Sequence, residues 1–372
     1  MRLFMRQLSG FICFLLLLVA PAQATTQVID ASGREHKFST EITRFICSGS
    51  GCLRLATYLQ AQDRVVAVDD IETRRARFDS RPYALANPSF KTRPLFGGFR
   101  GRDNPEKILG LSSQPQVIFK TYPDSGTNPV MLEAKTGIPV VVLQYGDLYR
   151  NRGDFFRALT IMGAVLERQE RAKEVIAFFE KEIADLEART QGIAPAGRRS
   201  CFVGGIAFRG PHGFASTEPM YPPFQFVHAM NIACPRPGEA QLRQTLFSKE
   251  QLLTRDPDVL FLDLSTLQMG KGQGGLHELM NDPIYQELTA VKTGQVFGVL
   301  PYNWYTQNMG SILADAWFIG KTLYPDRFKG IDPGKKADEI YSFLVSAPVF
   351  GPMNQAFGNL AFKAVPLAGE GH

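Results

Sequence analysis

From Phe45 onward the chain alternates short, almost wholly apolar runs with segments of helical periodicity. Phe45-Ile46-Cys47, Val65-Val66-Ala67-Val68, Val117-Ile118-Phe119 and Val140-Val141-Val142-Leu143 read as strands. Residues 53–60, 105–111 and 130–136 read as helices, the first entered through the turn Ser48-Gly49-Ser50-Gly51. Strands apolar at every position are buried on both faces, and their alternation with helices predicts a doubly wound parallel sheet. Residues 154–189 contain no proline and a single glycine. Phe155, Leu159, Met162 and Leu166 recur there at helical spacing, and Ala172, Val175, Phe179, Ile183 and Leu186 do so again after a polar break. The second segment would reach about 30 Å, enough to join two small domains. The glycine- and proline-containing stretch 191–197 ends it, and the sheet pattern restarts at Cys201-Phe202-Val203.

The pattern is duplicated. Glu106-Lys107-Ile108-Leu109 leads into Pro115-Gln116-Val117-Ile118-Phe119, and Lys135-Thr136-Gly137 runs on to Val142-Leu143-Gln144-Tyr145. In the second half, Glu250-Gln251-Leu252-Leu253 leads into Pro257-Asp258-Val259-Leu260-Phe261, and Lys292-Thr293-Gly294 runs on to Val299-Leu300-Pro301-Tyr302. Two related lobes imply a cleft between them, where small ligands bind. The expected fold class is α/β: two doubly wound, Rossmann-like lobes joined by a long helical spacer. The expected boundaries are a leader over 1–24, an N-terminal lobe over 25–150 and the spacer over 151–192. A C-terminal lobe over 198–347 and a tail over 348–372 follow.

The leader carries Arg2 and Arg6, an apolar run over 11–20 and the small-residue site Ala22-Gln23-Ala24. It reads as an export signal cleaved after Ala24, too short in its apolar part to span a bilayer. The mature chain is expected to be exported and soluble, without a membrane span. Removing two arginines lowers the formal charge from +5 to +3, too mild for a nucleic-acid binder. Outside the leader, Cys47, Cys52, Cys201 and Cys234 form an even set in an oxidising compartment. Their grouping by lobe pairs Cys47 with Cys52 and Cys201 with Cys234, although spacing does not fix connectivity.

No enzyme signature is present. Gly270-Lys271-Gly272 lacks the rest of a P-loop, Gly49-Ser50-Gly51 lacks the third glycine of a dinucleotide fingerprint, and His277-Glu278 lacks a second histidine four residues on. No metal ligand set is expected in the protein. The unusual residues fall instead at strand ends, where α/β sheets bind ligands. Arg100 sits in a glycine- and arginine-rich turn, and Tyr122 follows Lys120-Thr121. Tyr145 and Tyr302 hold equivalent positions and are expected to face the cleft from either side. Arg209, His212, Glu218 and Tyr221 lie in a dense loop after the first strand of the second lobe. Arg209 offers a planar fork for oxyanions, and Trp304 and Tyr305 add flat rings with polar tips.

Signal, duplicated lobes and spacer together resemble the periplasmic binding proteins that serve ABC importers of ferric siderophores, haem and cobalamin. The resemblance runs from about Thr26 to Leu344, and its most telling parts are the paired segments 104–118 and 248–260. It implies a monomer in the periplasm, with no enzymatic activity, no cofactor beyond a transported metal chelate, and an ABC permease and its ATPase as partners. It also implies that Glu106 and Glu250 dock on permease arginines. First-lobe arginines (Arg74, Arg75, Arg77, Arg93, Arg100, Arg102) and second-lobe aromatics suit an anionic chelate such as a ferric siderophore. A molybdate- or tungstate-type oxyanion and a corrinoid remain alternatives within the class. An exported enzyme acting on a metal chelate and a scaffolding adaptor remain outside it.

Overall fold

The structure is a computed structural model that describes residues 25–74, 77–235 and 242–367. The leader, Arg75 and the last five residues of the tail therefore lie outside the described residues. The chain opens with the hairpin β1 (Thr26–Ile29) and β2 (Glu35–Phe38). The first lobe then runs β3 (Phe45–Ser48), α1 (Cys52–Tyr58), β4 (Val65–Asp69), α2 (Pro82–Ala86), β5 (Leu95–Gly98), β6 (Arg102–Asp103), α3 (Pro105–Leu109), β7 (Val117–Thr121), α4 (Pro129–Thr136) and β8 (Val140–Leu143). Its six strands lie in the order β6-β5-β4-β3-β7-β8, and only β5–β6 is antiparallel. Alternate residues enter separate cores: Val117 and Phe119 join the main cluster, while Ile118 packs on the other face with Ile46, Phe96 and Ile108. Both faces are covered, which is why these strands are apolar throughout.

The helical stretch forms two helices, α5 (Arg152–Val165) and α6 (Gln169–Thr190), separated at Glu167, whose φ is 56°. The long α6 holds both lobes. Phe179 packs on Tyr58 and Phe155, while Glu182 accepts hydrogen bonds from the Trp317 indole at 2.7 Å and Lys336 at 2.9 Å.

The second lobe runs β9 (Ser200–Gly204), β10 (Ser216–Thr217), α7 (Pro222–Phe226), β11 (Met230–Asn231), β12 (Thr245–Leu246), α8 (Lys249–Arg255), β13 (Val259–Asp263), α9 (Gly274–Asn281), α10 (Pro283–Gln286), α11 (Thr289–Lys292) and β14 (Val296–Val299). Its parallel sheet has the order β11-β9-β13-β14, so β9, β13 and β14 repeat the arrangement of β3, β7 and β8. The repeated K-T-G has a physical reason. Gly137 and Gly294 both close a helix in the left-handed region, at φ 68° and 67°, where a side chain would be strained.

Helices α12 (Met309–Leu323), α13 (Pro333–Val345) and α14 (Phe350–Ala356) follow. The last two return to the first lobe, where α13 packs on α1 and α2, and α14 packs on α2. The chain beyond α14 runs along the free edge of β14, with Phe362 N–H donating to Gly298 O at 2.9 Å and Val365 N–H to Val296 O at 2.8 Å. The lobes are thus tied by the C-terminal helices as well as by the spacer.

All four described cysteines are free thiols, which corrects both expected bridges, Cys47–Cys52 and Cys201–Cys234. Cys201 is buried on β9 with its thiol toward Met230 O, whereas the exposed Cys234 points its thiol at Pro219 O and Met220. Cys52 donates to Phe119 O instead of bonding Cys47.

Candidate functional site

The carboxyl ends of both sheets face one another. Loops following β3, β5 and β7 meet those following β9, β13 and β14 around two neighbouring cavities of about 240 and 320 Å³. The cavities share Ser50, Arg100, Arg209, Asn303 and Thr306, and no acidic residue lines either one. Phe99, Trp304 and Tyr305 wall the first; Tyr122, Phe208 and Arg243 complete the second. A third cavity of about 170 Å³ adjoins at Arg243 and is lined by Asp147, Glu218 and Gln307 among others.

Backbone strain gathers at this cleft. Twelve described non-glycine residues have positive φ, and five of them line it: Arg100, Tyr122, Arg209, Tyr305 and Thr306. Such conformations cost about 1–3 kcal/mol each and persist where surroundings enforce them, which is common at ligand sites.

The enforcing contacts come from the 303–308 segment, which crosses to the first lobe. Arg54 on α1 is fully buried and donates from Nη1 to Gln307 O at 2.7 Å and to the Tyr145 hydroxyl. That hydroxyl in turn donates to Gln307 O at 2.7 Å. Tyr122 and Thr306 share a hydroxyl–hydroxyl hydrogen bond across the cleft. The Tyr305 hydroxyl donates to the Asp69 carboxylate and accepts from Arg100 N–H at 3.1 Å. Burial pushes the Asp69 carboxyl up to about 7, despite the Tyr305 hydrogen bond acting the other way.

Of the residues singled out in the sequence, Arg100, Tyr122, Arg209, Trp304 and Tyr305 line the cleft. Tyr145 and Tyr302 do not face into it: both are buried beneath its floor. Tyr145 is the strut just described, and Tyr302 donates to Glu218. Glu218 reaches only the third cavity, and burial pushes its carboxyl up to about 7. Tyr221 is buried and turned toward Asp315. His212 braces its own turn, its Nε2 donating to Phe208 O at 2.8 Å. Lys120 is consumed in a buried ion pair with Asp103 at 2.7 Å. Glu106 and Glu250 are exposed in the first turns of α3 and α8, the equivalent helices of the two lobes. Sequence reasoning missed Ser50, Arg54, Asn303, Thr306 and Arg243. Asn303 and Thr306 adjoin the aromatic run already noted, and Arg54 stands out as a charge within Leu53-Arg54-Leu55-Ala56; Arg243 offered no such signal.

Among the described residues no helix is long and apolar enough to cross a membrane, and no group of three or more His, Cys, Asp or Glu side chains could hold a metal ion. Comparison with known proteins gives a consistent result. The iron-uptake system-binding protein of Bacillus subtilis is 22% identical over 202 residues, covering 54% of this chain and 59% of that one. The chain therefore matches less than two thirds of that relative's length. The molybdate periplasmic binding protein MolA of Haemophilus influenzae superposes with a TM-score of 0.63 at 18% identity, covering 86% of this chain and 98% of that one. A TroA-like periplasmic binding protein from Veillonella parvula, FepB, gives 0.64 at 16% identity over 87% and 97%, and the periplasmic heme binding protein HutB of Vibrio cholerae gives 0.54 at 18% over 76% and 99%. The family model described as periplasmic binding protein matches residues 57–301, so with this sheet arrangement and interlobe cleft the chain belongs to the periplasmic binding protein family.

Proposed function

We propose that this chain is the periplasmic substrate-binding component of an ABC importer, capturing an anionic metal chelate of the ferric siderophore kind between its lobes. The observation that carries the reading is the cleft itself: Arg100, Arg209 and Arg243 converge with Phe99, Trp304 and Tyr305 around two cavities without a lining carboxylate. Guanidinium forks bind anionic oxygens, and the rings supply apolar walls for an organic ligand. The iron-uptake relative supports this cargo. Family membership favours capture over catalysis. Glu106 and Glu250, one per lobe and both exposed, are the proposed contacts with the permease. Several ties between the lobes favour small rather than large closure on binding.

Calorimetric titration with ferric siderophores of different charge tests the reading. Binding of an anionic ferric chelate that is lost in Arg100→Ala/Arg209→Ala supports it; equal binding by that variant overturns it. The second reading, a bare oxyanion such as molybdate, is favoured by the likeness to MolA bound to molybdate. Cavities of this size count against it, because a tetrahedral oxyanion occupies only the space of a few waters, each about 30 Å³. Tight binding of molybdate without any chelator would decide for the oxyanion.

A further inference from the structure

A separate cavity of about 550 Å³ lies behind the turn that follows β13. Leu267 of that turn faces this cavity, whereas the next residue, Gln268, faces the cleft. Its walls come from α9, from Phe78 of the first lobe and from Ala356 at the end of α14. It is larger than either arginine-lined cavity of the cleft. Gly270-Lys271-Gly272 and His277, which match no known signature, all line it.

The lining has two chemical characters. Phe78, Leu267, Leu276 and Met280 are apolar, while Arg77, Lys271 and His277 supply positive charge or N–H donors. No aspartate or glutamate is among the lining residues. Asn281 Nδ2 donates to His277 Nδ1 at 3.1 Å and to His277 O at 2.8 Å. An accepting Nδ1 leaves the Nε2–H as the ring's donor toward a ligand. Glu278, the one acid next to it in sequence, is turned away, its carboxylate accepting Phe214 N–H at 2.9 Å. Arg77 lies over the Phe78 ring at 5.3 Å, which holds the guanidinium beside the apolar wall.

We propose that this cavity is a second binding site, for an amphiphilic organic anion. The apolar body packs against Phe78, Leu276 and Met280, and the head group meets Lys271, His277 and Arg77. Size and lining match small-molecule sites, which are mostly apolar with a few orienting polar groups. Unbalanced positive charge in a partly enclosed site selects an anion.

The probe is 8-anilinonaphthalene-1-sulfonate, titrated by fluorescence into the full mature chain. The cleft is disabled by Arg100→Ala/Arg209→Ala, and the second cavity by Lys271→Glu/His277→Glu, both exposed positions whose replacement leaves the core untouched. The expected result is one dye bound by the wild type and by the cleft variant, with affinity at least about tenfold weaker in Lys271→Glu/His277→Glu. Decanoate should displace the dye at concentrations where acetate does not. Dye binding that is lost in the cleft variant but unchanged in Lys271→Glu/His277→Glu overturns the proposal, as does a wild type that binds no dye. Equal displacement by acetate overturns the amphiphilic assignment.

Discussion

Gly51 lies against Tyr145 of its own lobe and Thr306 of the other, and replacing it with alanine probes that packing. Its φ is +78°, and a Cβ there would lie 2.3 Å from Tyr145 Cε2 and 2.7 Å from Thr306 Cγ2. A left-handed non-glycine residue costs about 1–2 kcal/mol. Ordinary carbon contacts begin near about 3.5 Å, so the Tyr145 ring must move by about 1 Å, and such overpacking costs about 1–3 kcal/mol. The sum is about 2–5 kcal/mol. Tyr145 cannot move without loosening its hydrogen bonds to Arg54 and Gln307 O. The damage therefore falls on the 303–308 segment and weakens ligand binding as well as stability. Gly137→Ala is the control: its φ is +68°, but nothing lies within 4 Å of the added carbon, so only the conformational cost of about 1–2 kcal/mol applies. Urea unfolding of both variants measures the difference, and a titration with the ligand measures the coupling. If Gly51→Ala costs no more than Gly137→Ala, the packing of Gly51 against Tyr145 and Thr306 is not what the structure shows.

Other expectations follow from the same geometry. Burial pushes the carboxyls of Asp69, Glu218 and Asp263 up to about 7, far above their unfolded values near 4. The folded state then holds more protons than the unfolded state between about pH 4 and 7, so stability falls as pH rises through that window. Urea unfolding should give a larger free energy at pH 5.5 than at pH 8, with a shallower slope in Asp69→Asn; a rise with pH would contradict the assignment. Glu106→Arg/Glu250→Arg should leave ligand affinity unchanged while uptake by cells is lost, and normal uptake would remove the docking role. Thiol titration of the native protein should find one fast cysteine, the exposed Cys234, with Cys47, Cys52 and Cys201 reacting only on unfolding; two or no reactive thiols would show that the thiols are not arranged as described.

The duplicated segments made the sheets legible, because strand burial and the left-handed glycines impose residue patterns that survive in both halves. The break in the spacer was visible for the same reason: apolar periodicity fails at Glu167 and Arg168. The site was legible only in part. Arg100, Arg209 and Trp304 were singled out because loops crowded with glycine, arginine and aromatics are unusual, and they line the cleft. Tyr145 and Tyr302 were placed at the correct strand ends, but strand position does not say whether a ring enters the cleft or the floor. For Tyr145 that choice is made by Arg54, 91 residues away, and for Tyr302 by Glu218, 84 residues away. The cysteine pairing failed for a related reason, since proximity in sequence says nothing of which way Cys201 and Cys234 point.

The account stands on capture of an anionic ligand by the arginines of the cleft. The most direct test is to isolate the protein from its native export route and measure metal content and intact ligand mass by native mass spectrometry, beside an Arg100→Ala/Arg209→Ala/Arg243→Ala variant made the same way. One metal chelate per wild-type molecule and none in the variant is the expected result. A wild type and variant carrying the same ligand would contradict it.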